Sequence, residues 1–392
     1  MMEGEAEFKV LIIGGGPGGL STALHLARDH PEVARHTLII EKEHYPRFKL
    51  CAGGLVVDAE LILQRLGLDT SEVPHVDAGE VRLDFEGKGV RLRPPGRRAL
   101  RIIRRDEFDA WLARKTRERG VEIREGVNVR NVRTDAEGVT VETETGSFRA
   151  QVVVGADGSN GRTRRCIFPD EPVSTARLLE LITPERAQVS KGGREAPHAG
   201  ASAYFDFFPV PEGIAGYTWD FPTQVKGGRQ RCWGIYDTNM LAHRKRPALK
   251  EPLREEMRRQ GYDLDVYELK GHPIRWFEPE KPMSAGRVLL VGDAAGSDPL
   301  FGEGISIALG YGALAAQEIG EAFQRQDFSL EGYKRRVMRS SLGRSLARRW
   351  FIAKVIYRMR WRWFQLLLWR GMKLAVLAAG WLWVVNWGKK LK

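Results

Sequence analysis

The feature that most constrains this chain is a glycine-rich turn close to its start. Residues 8–13 form a short apolar run of strand length, and the run stops at Gly14, Gly15, Gly16, Pro17, Gly18 and Gly19. Residues 20–28 then carry a helical pattern, and a second apolar run at 37–40 is closed by Glu41. This is a β-α-β unit, and such units build parallel sheets. Gly14-x-Gly16-x-x-Gly19 stands between its first strand and its helix, the context in which the spacing has a mechanism. Gly14 permits the tight turn, Gly16 lets a pyrophosphate approach the backbone, and Gly19 lets the helix pack closely on the sheet. Phosphates placed there meet the positive end of the helix dipole. Glu41 is placed to accept hydrogen bonds from ribose hydroxyls. A dinucleotide is therefore expected at 14–19 and 41, and the motif alone does not choose between FAD and NAD.

A chain of 392 residues is too long for one compact core, so two domains are expected. A composition of 43% hydrophobic and 29% charged residues excludes disorder. Residues 81–92 alternate around Gly87 and residues 139–154 around Gly146, as hairpins do, with a helical stretch at 106–119 between them. From 166 to 280 the pattern turns to aromatic-rich strands, 203–208 and 216–221 among them, with one charged helix at 249–260. A buried-strand pattern returns at 288–291, followed by a glycine-rich turn and an apolar helix at 304–323. The expected architecture is α/β. A Rossmann-like domain spans 1–165 and 281–331, with a hairpin near 80–95 joining an antiparallel-sheet substrate domain at 166–280. A helical tail occupies 332–392.

The net charge of +12 is concentrated in that tail. Sixteen Lys and Arg follow Glu331 with no Asp or Glu among them, which leaves the preceding body at roughly −4. No nucleic-acid reading element accompanies the basic residues, so nucleic acid is not an expected partner. Cys51, Cys166 and Cys232 are isolated thiols without a C-x-x-C pair, which argues against zinc and against a disulfide framework, and no metal is expected. The acidic opening, 1–7, lacks an apolar signal segment, so a cytoplasmic body is expected.

Two later motifs carry a resemblance. Gly155-Ala156-Asp157-Gly158 follows the apolar run 152–154, and Gly292-Asp293-Ala294-Ala295 follows 288–291. Both resemble the paired Asp-Gly and Gly-Asp signatures of the aromatic hydroxylase superfamily, over roughly the first 330 residues. The resemblance implies one non-covalent FAD in an FAD-binding, aromatic-hydroxylase-type fold. It implies Asp293 on the ribityl chain, and Gly302, Glu303, Gly304 and Ile305 presenting backbone to the flavin ring. Such a cofactor needs hydrogen bonds at several points and backbone close to a flat ring. Arg105, in Arg105-x-x-Phe108-Asp109, resembles the family arginine that reaches the cofactor, with Arg104 as its immediate rival.

Two further stretches narrow the resemblance. Residues 46–55, Pro-Arg-Phe-Lys-Leu-Cys-Ala-Gly-Gly-Leu, are similar to the flavin-proximal loop of geranylgeranyl reductases. Tyr217-x-Trp219-x-Phe221-Pro222 is similar to the Tyr-x-Trp-x-Phe-Pro motif of their substrate domain. The likeness implies catalytic roles for Lys49, Cys51, Tyr217 and Trp219. It also implies cofactor contacts at Pro17, Gly18, Lys42 and Arg47, at Ala52, Gly53 and Leu55, and at Val129, Gly158 and Gly292. Tyr217, Trp219 and Phe221 alternate on a strand and share a face, which suits the wall of a prenyl-chain pocket. No His or other base near Cys51 in sequence lowers its pKa. Gly161 stands where many relatives have Ser, which leaves the electron donor open between NAD(P)H and a reduced carrier protein.

The tail holds seven of the eleven tryptophans, Trp350, Trp361, Trp363, Trp369, Trp381, Trp383 and Trp387, interleaved with arginines. That composition suits the headgroup layer of a cytoplasmic leaflet. The uncharged run 374–387 is about 14 residues, short of the ~20 that a spanning helix needs, so a monotopic anchor is expected. The competing expectation is a helical cap packed on the substrate domain. The functional expectation is an FAD-dependent reductase of prenyl C=C bonds on a lipid, quinone or pigment. Its rivals are a monooxygenase or halogenase of the same fold and a membrane-bound flavin electron carrier. The halogenase Trp-x-Trp-x-Ile-Pro motif is broken here by Tyr217 and Phe221.

Overall fold

The computed structural model describes residues 7–186, 202–240, 247–380, 384 and 386–391. Strand Phe8–Ile13 is buried from Val10 onward, as expected of a strand inside a parallel sheet covered on both faces. It pairs in parallel with Thr37–Glu41 on one side and Ser147–Gly155 on the other. Glu122–Glu125 extends the first edge, and Val288–Leu290 returns beside Ser147–Gly155. Helix Pro17–Asp29 starts directly at the glycine turn and packs along helix Ile305–Arg325. They approach tightly at Gly312, where a Cβ would stand 2.6 Å from the Ser21 side chain. The Ser21 hydroxyl donates to the Leu309 carbonyl there, 2.8 Å.

A second sheet runs in the order Lys270–Arg275, Thr175–Pro184, Gly228–Asp237, Gly216–Val225, Ser202–Asp206, Glu80–Phe85 and Lys88–Leu92. The alternating pattern predicts a wholly antiparallel sheet. The structure differs at one place, where Ser202–Asp206 runs parallel to Glu80–Phe85. The physical reason is the connection: those strands are joined through a long stretch of chain, and only a tight turn forces antiparallel pairing. Strand Gly216–Val225 is buried through its first eight residues because both its faces are covered. One face carries Tyr217, Trp219 and Phe221. On the other side of the sheet Trp233 and Ile235 pack with Leu253 and Met257 of helix Lys250–Arg259.

The segment from 332 onward is not a body apart. Helices Gly332–Arg339 and Ser341–Arg358 bury Tyr333, Val337, Leu342 and Leu346 in the core beneath the first sheet, and Ala353 and Tyr357 in the core of the second. Tyr357 donates its hydroxyl to the Leu300 carbonyl, 2.6 Å, and Arg349 meets Asp298 at 2.8 Å. The body-facing side of helix Ser341–Arg358 is packed and its other side leaves Phe351 64% exposed; beyond that helix Trp361, Trp363 and Leu374 are 60–82% exposed. Trp381 and Trp383 lie outside the described residues, and Trp387 is buried against Gly310.

The end of the tail is tied down by a single carboxylate. Asp58, fully buried, accepts the backbone N–H groups of Asn386 (3.0 Å) and Gly388 (2.8 Å). Arg65 donates to the Leu391 and Lys389 carbonyls at 2.6 Å and 2.9 Å. Hydrogen bonds to a buried charged acceptor are each worth about 1.5–3 kcal/mol. Asp58→Ala should therefore lower stability by about 2–4 kcal/mol. In limited proteolysis it should expose the C-terminal segment ahead of the body.

Candidate active site

One large cavity, about 2060 Å³, runs from the glycine turn to the aromatic strand and on to the tail. At its first end the wall is the backbone of Gly14, Gly16, Pro17 and Gly18, with Glu41, Lys42 and Val129 beside it. The Glu41 carboxylate is held in place by the N–H groups of Gly15 (2.8 Å) and Glu43 (3.1 Å). Arg47 stands 3.4 Å from Glu41 and 3.2 Å from Asp109, and donates to the Gly15 carbonyl at 3.2 Å.

The three fingerprint glycines answer to different causes. Gly14 has φ +107°, and a Cβ there would lie 2.4 Å from the Ala156 carbonyl oxygen. Gly19 is not on the cavity wall. A Cβ at 19 would lie 2.1 Å from the Gly14 carbonyl oxygen, so this glycine serves the close packing expected of it and does not line the cavity. Gly16 has an ordinary φ of −85°, and its nearest neighbour to an added Cβ is the Arg47 guanidinium at 3.7 Å. Nothing in the polypeptide requires glycine at 16, so the empty space there is a cradle.

The two expected aspartates divide. Asp157 is on the wall, but its Oδ2 accepts both the N–H (2.8 Å) and the hydroxyl (2.9 Å) of Thr163, holding the first turn of helix Arg162–Ile167. Only Oδ1 is left without a hydrogen-bond partner, so Asp157 has one carboxylate oxygen free to face the cavity. Gly161 makes this possible, since a Cβ there would stand 2.2 Å from Oδ1. Asp293 lies in the turn Gly292–Ala294, with the Ser159 hydroxyl 3.3 Å from its Oδ2. The next long helix begins only at Ile305, so Asp293 is not its cap.

The middle of the wall carries Ala52, Gly53 and Leu55 on one side, and Gly158, Gly292, Gly302, Gly304 and Ile305 on the other. Arg105 is there too, paired to Asp109 through two hydrogen bonds of 2.8 Å and 2.9 Å. Its rival Arg104 pairs with Asp106 instead. Lys49 is also on the wall, with its Nζ 2.8 Å from His272 Nε2. Burial pulls the Lys49 ammonium down, and burial with the Lys49 charge pulls His272 down to about 4. The ring is therefore neutral and accepts from the ammonium.

Cys51 donates its backbone N–H to Glu180 Oε1, 3.3 Å, and its sulfur accepts the Gly53 N–H, 3.3 Å. Burial pushes the thiol up, so it stays protonated. Beyond it stand Tyr217, Trp219 and Phe221, with Phe205, Phe207 and Phe301 completing an apolar arm. Tyr217 donates its hydroxyl to the Phe301 carbonyl. Trp219 lies flat across Gly234, where a Cβ would sit 2.1 Å from its ring. The tail closes this arm with Ile352, Ile356, Trp369, Met372 and Val376.

Sequence reasoning missed Glu180, His272, Glu303 as an ionisable group, and Arg349. Glu180 left a signal, being a lone acid inside the apolar stretch 178–182. His272 and Arg349 left none, since their partners are 223 and 51 residues away in sequence.

A family model described as an FAD binding domain matches residues 7–336. The chain belongs to that family. It is an FAD-dependent oxidoreductase, and its resemblance to geranylgeranyl reductases is borne out by its relatives. Digeranylgeranylglycerophospholipid reductase 1 of Methanopyrus kandleri is 28% identical over 351 residues, covering 84% of either chain. The menaquinone reductase of Mycolicibacterium smegmatis is 27% identical over 332 residues, 79% of this chain and 75% of that one. Among solved structures, a geranylgeranyl bacteriochlorophyll reductase-like protein of Thermoplasma acidophilum superposes with a TM-score of 0.77 over 99% of both chains, at 22% identity. The flavin-dependent brominase Bmp2 gives 0.68 over 98% of this chain and 94% of its own, at 18% identity. At such identities the likeness is one of fold.

The cradle at Gly16 fits the cofactor of this FAD-binding family. Gly16→Val should leave the melting temperature of flavin-free protein close to that of the wild type, since the new side chain meets open space. Flavin retention on purification, read from visible absorbance, should fall by at least about tenfold, the equivalent of ~1.4 kcal/mol.

Proposed function

We propose that this protein saturates C=C bonds in the prenyl chain of a membrane lipid or quinone. The observation that carries the reading is the continuity of the cavity. Its polar end, built of glycine backbone and carboxylates, opens directly into an apolar aromatic arm of the character an isoprenoid needs. The names of the Methanopyrus and Mycolicibacterium relatives support it. On this reading Glu41 would receive the adenosine ribose, the backbone at 14–18 the pyrophosphate, and Asp293 the ribityl chain. The turn 302–305 would lie along the flavin ring. Reduced FAD supplies a hydride from its N5. The chain's own part is to hold the alkene against that ring and exclude water, which Tyr217, Trp219 and Phe221 are placed to do with Cys51 and Ala52 opposite.

The tail belongs to the same proposal, as a surface that meets the membrane. Seven of the eleven exposed large hydrophobic side chains among the described residues lie between Phe351 and Leu374. Exposed Arg344, Arg348, Lys354, Arg358 and Lys373 accompany them. Trp361 and Trp363 stack on each other with centroids 6.3 Å apart, both facing solvent. An apolar face of that kind beside basic side chains suits the boundary of an anionic leaflet. No helix among the described residues is long and apolar enough to cross a membrane.

A halogenase-like reading is favoured by fold likeness alone, and Tyr217 and Phe221 stand where that motif has other residues. A carrier without substrate has no use for the apolar arm. Anaerobic mixing of the reduced protein with a geranylgeranyl lipid separates the three. Reoxidation of the flavin, with two hydrogens gained per bond by mass spectrometry, is the expected result. A flavin that waits for O₂ would overturn the proposal in favour of oxygen chemistry, and one inert to both would favour the carrier.

For the membrane surface, flotation with anionic phospholipid vesicles is the measurement. The double variant Trp361→Ser and Trp363→Ser should weaken binding by roughly tenfold or more, since burying one large apolar side chain contributes about 1.5–3 kcal/mol. Binding should also weaken with added salt.

A further inference from the structure

Saturating an alkene takes a proton as well as a hydride, and the cavity wall offers few groups able to release one. The Tyr217 hydroxyl is committed to the Phe301 carbonyl, and burial raises its pKa far out of range. The Cys51 thiol is pushed up by burial as well. The Lys49 ammonium donates to His272. Burial pushes Glu303 up to about 7, but both its carboxylate oxygens are occupied by Ser306, one by its N–H (2.8 Å) and one by its hydroxyl (2.5 Å).

Glu180 is different. It sits mid-strand in Thr175–Pro184, opposite Gly234, in the row that also carries Trp219. Because residue 234 is glycine, the Trp219 ring lies flat over that position and leaves the carboxyl at the cavity wall. Its Oε1 accepts the Cys51 N–H, and its buried Oε2 has no hydrogen-bond partner. A second, small chamber of about 20 Å³ adjoins it, with Glu180, Cys232, Thr223, Arg104 and Asp106 among its lining residues. A chamber needs roughly 10–15 Å³ to hold one water. Glu180 lines both spaces, and the small one reaches outward to the Arg104–Asp106 pair, whose side chains are partly exposed.

We propose that Glu180 is the proton donor of the reductase, delivering its proton to the alkene on the cavity side and being recharged from solvent through the small chamber. The proposal rests on the prenyl-reductase reading above and deepens it. In the step, the alkene π bond gives way to two C–H bonds. One is made with the hydride supplied by reduced FAD, which is thereby oxidised. The other is made with the proton leaving the Glu180 carboxyl, whose O–H electron pair stays on the oxygen. The carboxylate then takes a proton from water, so the net reaction consumes one hydride and one solvent proton per bond. The ionisable groups around the carboxyl agree with this role. Burial pushes Glu180 up to about 7, against the Cys51 N–H, the Arg104 charge and the Cys232 thiol, which pull it down. Its cross-strand neighbour Lys270 is occupied elsewhere, with its ammonium 4.4 Å from the Phe48 ring centroid. A carboxyl of that kind is protonated below pH 7 and able to give its proton up near it.

Two measurements on the full-length flavoprotein test the proposal. Infrared spectroscopy between pH 5 and 9, in a Glu303→Gln background that removes the other carboxyl raised to about 7, should show the carbonyl stretch of a protonated carboxylic acid that disappears with a midpoint near 7. That band should be missing from Glu180→Gln and kept, shifted, in Glu180→Asp. In anaerobic single turnovers with a geranylgeranyl lipid, flavin reoxidation by the wild type should slow about tenfold per pH unit above 7. Glu180→Gln should be roughly 100-fold slower and lose that pH dependence, with flavin content and melting temperature as in the wild type. Glu180→Asp should recover part of the rate. Reoxidation of Glu180→Gln within threefold of the wild type, or an infrared band that survives the substitution, overturns the assignment while leaving the reductase reading intact. A wild type that the lipid never reoxidises removes both.

Discussion

The contact on which the rest of the structure depends is the near collision of two backbones at Gly14 and Gly19. The strand stops, the chain turns with a positive φ, and the helix starts so close that any side chain at 19 would strike the Gly14 carbonyl. This closeness drops helix Pro17–Asp29 onto the sheet and lets helix Ile305–Arg325 lie along it, again through glycine at 312. It also aims the helix N-terminus at the cavity. A helix that begins at the end of a parallel strand presents its free N–H groups where a phosphate can meet them. The cofactor end of the site is therefore a consequence of how the first thirty residues pack.

The second sheet answers to another constraint. One strand, Gly216–Val225, must present aromatic side chains to a cavity and lie buried on its other face as well. That is met by alternation, with Tyr217, Trp219 and Phe221 on the inner side, and Thr218 and Asp220 beneath. Asp220 is neutralised by Arg231 at 2.7 Å, both buried. Breaking such a pair from one side costs more than the pair contributes. The aromatic wall thus rests on an ionic floor that sequence patterning alone reads as an interruption.

Much of this was legible in the sequence, because local backbone chemistry leaves local marks. The strand, turn and helix at the start, the hairpins around Gly87 and Gly146, and the return at 288–291 follow from periodicity and glycine placement. What was not legible depends on pairs far apart in the chain. Asp157 reads as a cofactor ligand, and only its distance to Thr163 shows that half of it holds a helix. The separate roles of Gly16 and Gly19 were legible from the motif, and the space around each agrees with them. The tail was read by composition, which registers tryptophan and arginine but not which face they occupy. Asp58 and Asp298, the carboxylates that bind it to the body, carry no motif.

The two faces of the tail become intelligible together on the proposed reading. An isoprenoid chain leaving a bilayer for a water-filled path gives up roughly 0.8 kcal/mol for every CH₂ it exposes, more than ten kcal/mol for a long chain. A protein acting on such a chain therefore needs the wall of its cavity and the surface it lays on the membrane to be continuous. The segment 349–380 has that form. Ile352, Ile356, Trp369 and Val376 line the apolar arm, while Phe351, Val355, Trp361 and Leu367, interleaved with them, face outward. Helical periodicity assigns alternate residues to the two tasks, so neither face can be supplied without the other. Arg349 anchors this same segment to Asp298, at the base of the turn expected to meet the flavin ring. On the proposed reading, the outward face of the tail, the apolar arm and the flavin turn are in that way fastened to one another, with this buried ion pair and the Tyr357 hydroxyl among the ties.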